Sequence, residues 1–272
     1  MPEPPHNIQT IADPRLIFQV LTPDQLTPEL AQLKPAYIYV PAMVMADKPE
    51  LLIPFAERGA VPVAVLPRII TDNQVKEVYT ALQKLFDCGI NEALVGNIGQ
   101  VIMARKAGMK LRGDFGFNAF NSRTLEILSE MGFLSATASF ELRLAQIKDM
   151  AKPLDTEVIM YGRLPLMVSD QCVISHSSGR CVCQAPAQMS DRMGSVFPVV
   201  KEFGCRNVIY NAHKLYLADK KEDLYSAGLW ALRMMFTTES PRECIEVAKG
   251  HLGLSDYKPN VLTRGLYYRG VD

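Results

Sequence analysis

The sequence has no excess of either charge: 29 Lys and Arg stand against 29 Asp and Glu over 272 residues. A surface that tracks a nucleic-acid backbone along its length is basic, so any RNA contact must be a local patch. No run of about 18 apolar residues is free of charges and turn residues, as a membrane-spanning helix requires. The opening Met1, Pro2, Glu3, Pro4, Pro5 and His6 has neither the basic segment nor the apolar run of a secretory signal. There is no His-Glu-x-x-His zinc-hydrolase motif, no Gly-x-Ser-x-Gly nucleophile elbow, and no glycine-rich phosphate turn after any strand. These absences predict a cytoplasmic chain without a membrane span. Its thiols should then be reduced, so its six cysteines need another explanation than disulfides.

What is present is an ordinary globular balance, 48% apolar, on a chain long enough for one large α/β domain. Short β-branched or aromatic runs alternate with longer amphipathic stretches, the pattern of βαβ units. The runs predict strands over 16–20, 36–40, 61–66, 92–96, 110–115, 134–139, 157–161 and 231–236. Apolar residues at helical spacing predict helices over 73–85, 98–107, 122–131 and 142–150. Thr22 before Pro23 and Gln25, and Ser240 before Pro241 and Glu243, read as helix starts. Gly108 and Gly132 stand where helices should stop. Eight strands with intervening helices predict a (β/α)8 TIM-type barrel over 1–272, the alternative being an open doubly wound sheet.

One segment breaks the rhythm. Residues 164–218 separate the seventh strand from the next helix, an unusual length for a βα loop. Short strands are predicted at 196–200 and 207–210, with turn chemistry from Asp191 to Gly194. Loops of this kind lie on the C-terminal face of a barrel, where active sites are built. The insert holds Cys172, Cys181, Cys183 and Cys205, whereas Cys88 and Cys244 sit in helical patterns and read as buried hydrophobes. Four clustered thiols in a reduced compartment suit zinc or an iron–sulfur cluster. His176 or His213 could replace a thiol. The close spacing of Cys181 and Cys183 is not a zinc-ribbon signature, and thiols that bind nothing are the alternative.

The run from Glu157 to Ser175 resembles the signature of peptidase family U32, the collagenase-like family. It keeps Glu157, Gly162, Leu164, Cys172, Ile174 and Ser175, and departs at Ile159, at Pro165 in place of the first cysteine, and at Asp170 in place of a glycine. Phe140, Glu141 and Leu142 resemble a further family motif. So do Asp191 with Arg192, Phe197 with Pro198, Cys205 with Arg206, and Tyr210 with Asn211. Thr263 to Gly265 and Tyr267 to Gly270 resemble the tail of longer members. The likeness covers roughly residues 110–270; the N-terminal third matches more weakly and lacks the family's usual opening motif.

The resemblance implies a barrel more firmly than a reaction. Several members are similar to one another as iron–sulfur proteins of oxygen-independent hydroxylation, acting on RNA bases or a quinone precursor; others are described as collagen-degrading peptidases. A 4Fe-4S cluster on Cys172, Cys181, Cys183 and Cys205 is the expectation, with zinc as the alternative. Polar residues near strand ends should surround it: Arg68, Asn97, Asp114, Asn118, Glu141, Arg163, Asn211 and Glu239. Of these, Glu141, Arg163, Asn118 and Asn211 are the catalytic candidates. Glu157, at the start of its strand, is expected in a structural ion pair at the barrel bottom. A tail over 250–272, with Lys258, Arg264, Tyr267, Tyr268 and Arg269, should pack on the barrel or stack RNA bases. A peptidase, or a partner subunit with a structural zinc, are the other readings. A protein partner or a homo-oligomer, and an RNA or small-molecule substrate, are the expected associations.

Overall fold

A computed structural model describes residues 13–180 and 187–269. Eight parallel strands form a closed barrel: β1 (Arg15–Gln19), β2 (Tyr37–Pro41), β3 (Val61–Val65), β4 (Glu92–Val95), β5 (Lys110–Gly113), β6 (Ser135–Thr137), β7 (Asp155–Gly162) and β13 (Ala231–Met235). The pairings of β13 with β1 and with β7 close the ring, which excludes the open sheet. Each strand lies within two residues or so of its expected place.

The helices cover the outside, except one short helix that belongs to the insert. They are α1 (Pro28–Ala31), α2 (Ala42–Asp47), α3 (Ile53–Ala56), α4 (Asp72–Asp87), α5 (Gly99–Lys106), α6 (Ser122–Glu130), α7 (Leu144–Asp149), α8 (Val173–Ser178), α9 (Lys221–Tyr225) and α10 (Pro241–Leu252). In α4, Val78, Ala81, Leu82 and Leu85 recur at helical spacing and are buried. Gly108 and Gly132 end their helices at φ +83° and +74°, where a side chain would be strained. Ser240 caps α10 by accepting from the Glu243 N–H at 3.2 Å. Thr22 opens a 3-10 turn instead of an α-helix, and Gln25 Oε1 accepts from its N–H.

Cys244 is buried on α10 as expected, but Cys88 is exposed. Cys88 follows Leu85 by three residues, on the buried face. The helix stops at Asp87, and the left-handed Gly89 turns the chain away before the thiol can be covered.

The bore of the barrel is charged. Near its N-terminal end, Arg112 bonds Glu92 at 2.7 Å and Ser135 at 2.8 Å, and lies over the rings of Tyr37 and Trp230. Above it, Arg233 is fully buried and pairs with Asp114 at 2.7 Å and with Glu157 at 3.2 Å. Glu157 is thus in an ion pair, but not at the barrel bottom. Its strand begins two residues earlier, at Asp155, which lifts it into the bore beside Thr137 and Tyr39.

The insert is a second, antiparallel sheet of β8 (Pro165–Ser169), β9 (Ala187–Ser190), β10 (Val196–Lys201) and β11 (Asn207–Tyr210), in the order β8-β11-β10-β9. The two strands not anticipated, β8 and β9, are its edges. Pro165 opens β8 where an edge tolerates a missing N–H. Asp191 turns the β9–β10 hairpin by accepting from Met193 and Ser195 N–H groups. The chain then returns through β12 (Lys214–Tyr216), antiparallel to the end of β7. Gly162 makes that junction, where a Cβ would meet the Met235 carbonyl oxygen at 2.3 Å and where φ is +135°. The last strand, β14 (Leu262–Thr263), adds to β12.

In the tail, Tyr267 is buried and donates its hydroxyl to the Ile159 carbonyl at 3.0 Å, which withdraws it from any base. Arg264 bonds the Tyr216 carbonyl and Asp219, and Tyr268 donates to Asp223. Lys258 and Arg269 are exposed. Among the described residues, no helix is long and apolar enough to cross a membrane.

Candidate functional site

The C-terminal ends of the barrel strands open into a cavity of about 290 Å³, and the insert sheet roofs it. Gln19 at the end of β1 and Asp114 just after β5 form its polar floor. Both are held from beneath by Arg233, which donates to Gln19 Oε1 at 3.0 Å and to Asp114 Oδ1 at 2.7 Å. The guanidinium also donates to Thr137 Oγ1, while its buried Nε has no hydrogen-bond partner. A rigid planar fork in a closed bore fixes those two side chains at the floor.

The walls are apolar, with Leu66, Phe115, Met235 and Phe236 among them. Gly116 lets its turn lie against the end of β4, since a Cβ there would meet the Gly96 carbonyl oxygen at 2.3 Å. The roof comes from Val200, Glu202 and Phe203 and from Val208 and Tyr210. Burial pushes the Tyr210 hydroxyl well above its ordinary range, so it stays a neutral donor. Arg68, after β3, lies over the Phe115 ring at 5.2 Å, and its N–H donates to Glu202 Oε1 at 3.0 Å. Arg206 docks the roof: it is 3% exposed, bonds Asp170 at 2.8 Å and donates to the Ile69 carbonyl and Gln74 Oε1.

Of the polar residues expected around the site, Arg68 and Asp114 line this cavity, as do Pro165 and Tyr210 from the family-like stretches. The four catalytic candidates do not. Asn118 is exposed in a left-handed turn, and Glu141 is exposed. Arg163 and Asn211 do come together, Arg163 donating to the Asn211 carbonyl at 2.9 Å, but beside a separate groove that includes His213 and Lys258. Asn97 braces the Arg68 carbonyl. Glu239 is buried against Tyr161, Lys214 and the Thr237 N–H, a structural post at the end of the last barrel strand.

Sequence reading passed over Arg233 and Glu202. Arg233 did carry a signal, a charge on an otherwise apolar strand of Ala, Leu and Met residues. Glu202 carried none, because only the docking of the insert buries it.

The thiols are the right donors for a soft metal, but a closed site needs about four together. Among the described residues, no three His, Cys, Asp or Glu side chains are grouped to hold a metal. Cys172 is half-buried against the small core of the insert, and its sulfur accepts from the Ser175 N–H at the start of α8. Cys205 is exposed at φ +62°. Cys181 and Cys183 lie outside the described residues, so only two of the four expected ligands fall among those described.

The protein of the native KDPGal structure is 11% identical, with 91% of this chain and 96% of that chain covered at a TM-score of 0.50, a likeness of fold. A tryptophan synthase alpha-subunit from Pyrococcus furiosus is 12% identical over 90% of this chain and 99% of that one, at 0.45. No curated protein sequence matches the chain significantly. The profile of peptidase family U32 matches residues 51–249, from just before α3 into α10. The chain therefore belongs to peptidase family U32.

Proposed function

We propose that the chain is an enzyme that modifies a small, ring-sized substrate in the roofed mouth of the barrel. In the form suggested by its resemblance to hydroxylating members, the cysteines of the insert would hold an iron–sulfur cluster. The observation that carries the reading is the cavity itself. Its volume, about 290 Å³, lies at the lower end of small-molecule pockets. It suits one substituted ring, and an extended peptide needs an open cleft.

If Cys172, Cys181, Cys183 and Cys205 hold a cluster, it would supply electron transfer. The residues described here do the binding. Asp114 and Gln19 meet polar groups of the ligand, the apolar walls enclose its ring, and Tyr210 and Glu202 cover it from the insert. Arg233 fixes the floor from below without touching the ligand.

The test has two arms. Protein purified without oxygen is assayed for iron, zinc and acid-labile sulfide, in the wild type and in Cys172→Ser. Iron with sulfide in the wild type and its loss in a folded variant support the cluster. Stoichiometric zinc without sulfide would turn the reading to a partner subunit with a structural site. Met43 also lines the cavity, and Met43→Trp, which fills it, should leave the metal content unchanged and abolish binding of small ring compounds. Unchanged binding in that variant would overturn the cavity as the site.

A further inference from the structure

Two carboxyl groups face the cavity from opposite sides in contrasting surroundings. Asp114 sits on the barrel floor, ion-paired to Arg233, and the same Oδ1 also accepts from the Phe115 N–H at 2.9 Å. Glu202 descends from the end of β10. Its Oε1 accepts from the Arg68 N–H, but its Oε2 is buried with no hydrogen-bond partner. A buried carboxylate oxygen without a donor is costly, whereas the same oxygen as an O–H needs only an acceptor.

Burial pushes the Glu202 carboxyl above the usual carboxylate range. The groups that face it are Arg68 from the connection after β3, Arg206 from the insert and Tyr210 on β11. The Arg68 N–H and the charges of Arg68 and Arg206 oppose the effect of burial without reversing it. A Glu202 carboxyl that keeps its proton would offer a hydrogen-bond donor at the roof, opposite the acceptor of Asp114 at the floor, with apolar walls between.

We infer that Glu202 and Asp114 set the specificity of this cavity for a neutral ring compound, Glu202 donating to an acceptor on the ring and Asp114 accepting from an N–H or O–H. The inference rests on the reading of the cavity as the ligand site. Such paired polar groups reject a ligand that lacks their partner, because one of them is then left buried and unpaired.

The experiment titrates the full-length protein with 2-pyridone, N-methyl-2-pyridone, toluene and benzoate, followed by ligand-observed NMR. 2-Pyridone should bind saturably. N-methylation, which removes the donor, and Glu202→Leu, which removes the roof O–H, should each weaken it about tenfold, the worth of one buried hydrogen bond. Glu202→Gln retains an N–H donor and should bind within about threefold of the wild type. Raising the pH from about 5 to about 9 should weaken binding to the wild type but not to Glu202→Gln, since only the acid can lose its proton.

Equal affinity in Glu202→Leu and Glu202→Gln, or tighter binding of benzoate than of 2-pyridone, would overturn the inference. Toluene binding as well as 2-pyridone would leave the cavity as a ligand site but sink the role of the carboxyls. Failure of every probe to bind the wild type would sink both readings.

Discussion

The barrel and the insert bury their side chains by different means. The barrel has a continuous apolar shell between strands and helices, and its bore is filled by rings and by paired charges such as Arg112 with Glu92 and Arg233 with Glu157. Among the described residues the insert has one small hydrophobic cluster, Ile174, Val199 and Ile209, and it is tied down by the docking of Arg206 against the barrel. Met193, Leu166 and Met167 of the insert are exposed. So the barrel holds its shape by its own core, while the insert is a thin sheet held to the barrel from one side. The cavity lies on the seam, with a rigid floor and a roof of much lower local stability.

The comparison is broken most sharply from inside the bore. Arg233→Met should destabilise the whole barrel by about 3–5 kcal/mol, because the buried Glu157 is left without its cation and the partly buried Asp114 loses its ion pair. Calorimetry should show a lowered global transition. A change confined to the insert would mean that the charges of the bore are not what holds the ring.

Next in size is a pH effect on the barrel. His251, 2% exposed, donates through Nδ1 to the Val247 carbonyl at 3.0 Å and stands edge-on to Tyr161 and Tyr216. Burial brings its pKa down to about 4, helped by the charge of Lys221 and opposed by the Val247 bond. The folded protein keeps it neutral, while the unfolded chain takes up a proton near pH 6.5. Stability is therefore full above about 6.5, falls as the pH drops towards about 4, and levels below that, a loss of about 3 kcal/mol. Denaturant titrations of the wild type and His251→Phe across this window should give a slope for the first and a much flatter line for the second.

Arg206→Ala acts on the other partner. Removing a side chain that ties Ile69 and Gln74 to the roof should loosen the insert by about 1–3 kcal/mol. Limited proteolysis should then cut within the insert sooner, with the melting of the barrel almost unchanged. Equal protection in the variant and the wild type would show that the insert is held elsewhere.

The same contrast decides what a reader of the sequence can see. Parallel strands buried on both faces are short apolar runs whatever lies around them, so β1 to β7 and β13 are legible. Edge strands are not: β8 opens on a proline and β9 is only Ala187–Ser190. The site divides similarly. Asp114 and Arg68 follow barrel strands and are found by position. Glu202 acquires its chemistry only when the insert that carries it docks on the barrel, a contact between residues 134 apart in sequence. Asn118 and Glu141 also stand in loops near strand ends, but their side chains face solvent, and position alone does not separate them from Asp114.

The smallest change makes the contrast quantitative. Ser240 caps α10 through the Glu243 N–H and shares no hydrogen-bond partner with Arg206. Ser240→Ala should cost about 1 kcal/mol, in the same range as the lower bound for Arg206→Ala. For a chain of this length that is a fall of about 2–4 °C in the melting temperature. The two variants then differ in where the loss appears rather than in its size. Ser240→Ala should lower the global transition and leave proteolysis of the insert as it is in the wild type, whereas Arg206→Ala should do the reverse. If the two effects add in the double variant, the barrel and insert are separate cooperative units joined at the seam. If the double variant loses much more than the sum, the roof of the cavity belongs to the barrel's own folding unit, and ligand binding there would raise the stability of the whole chain.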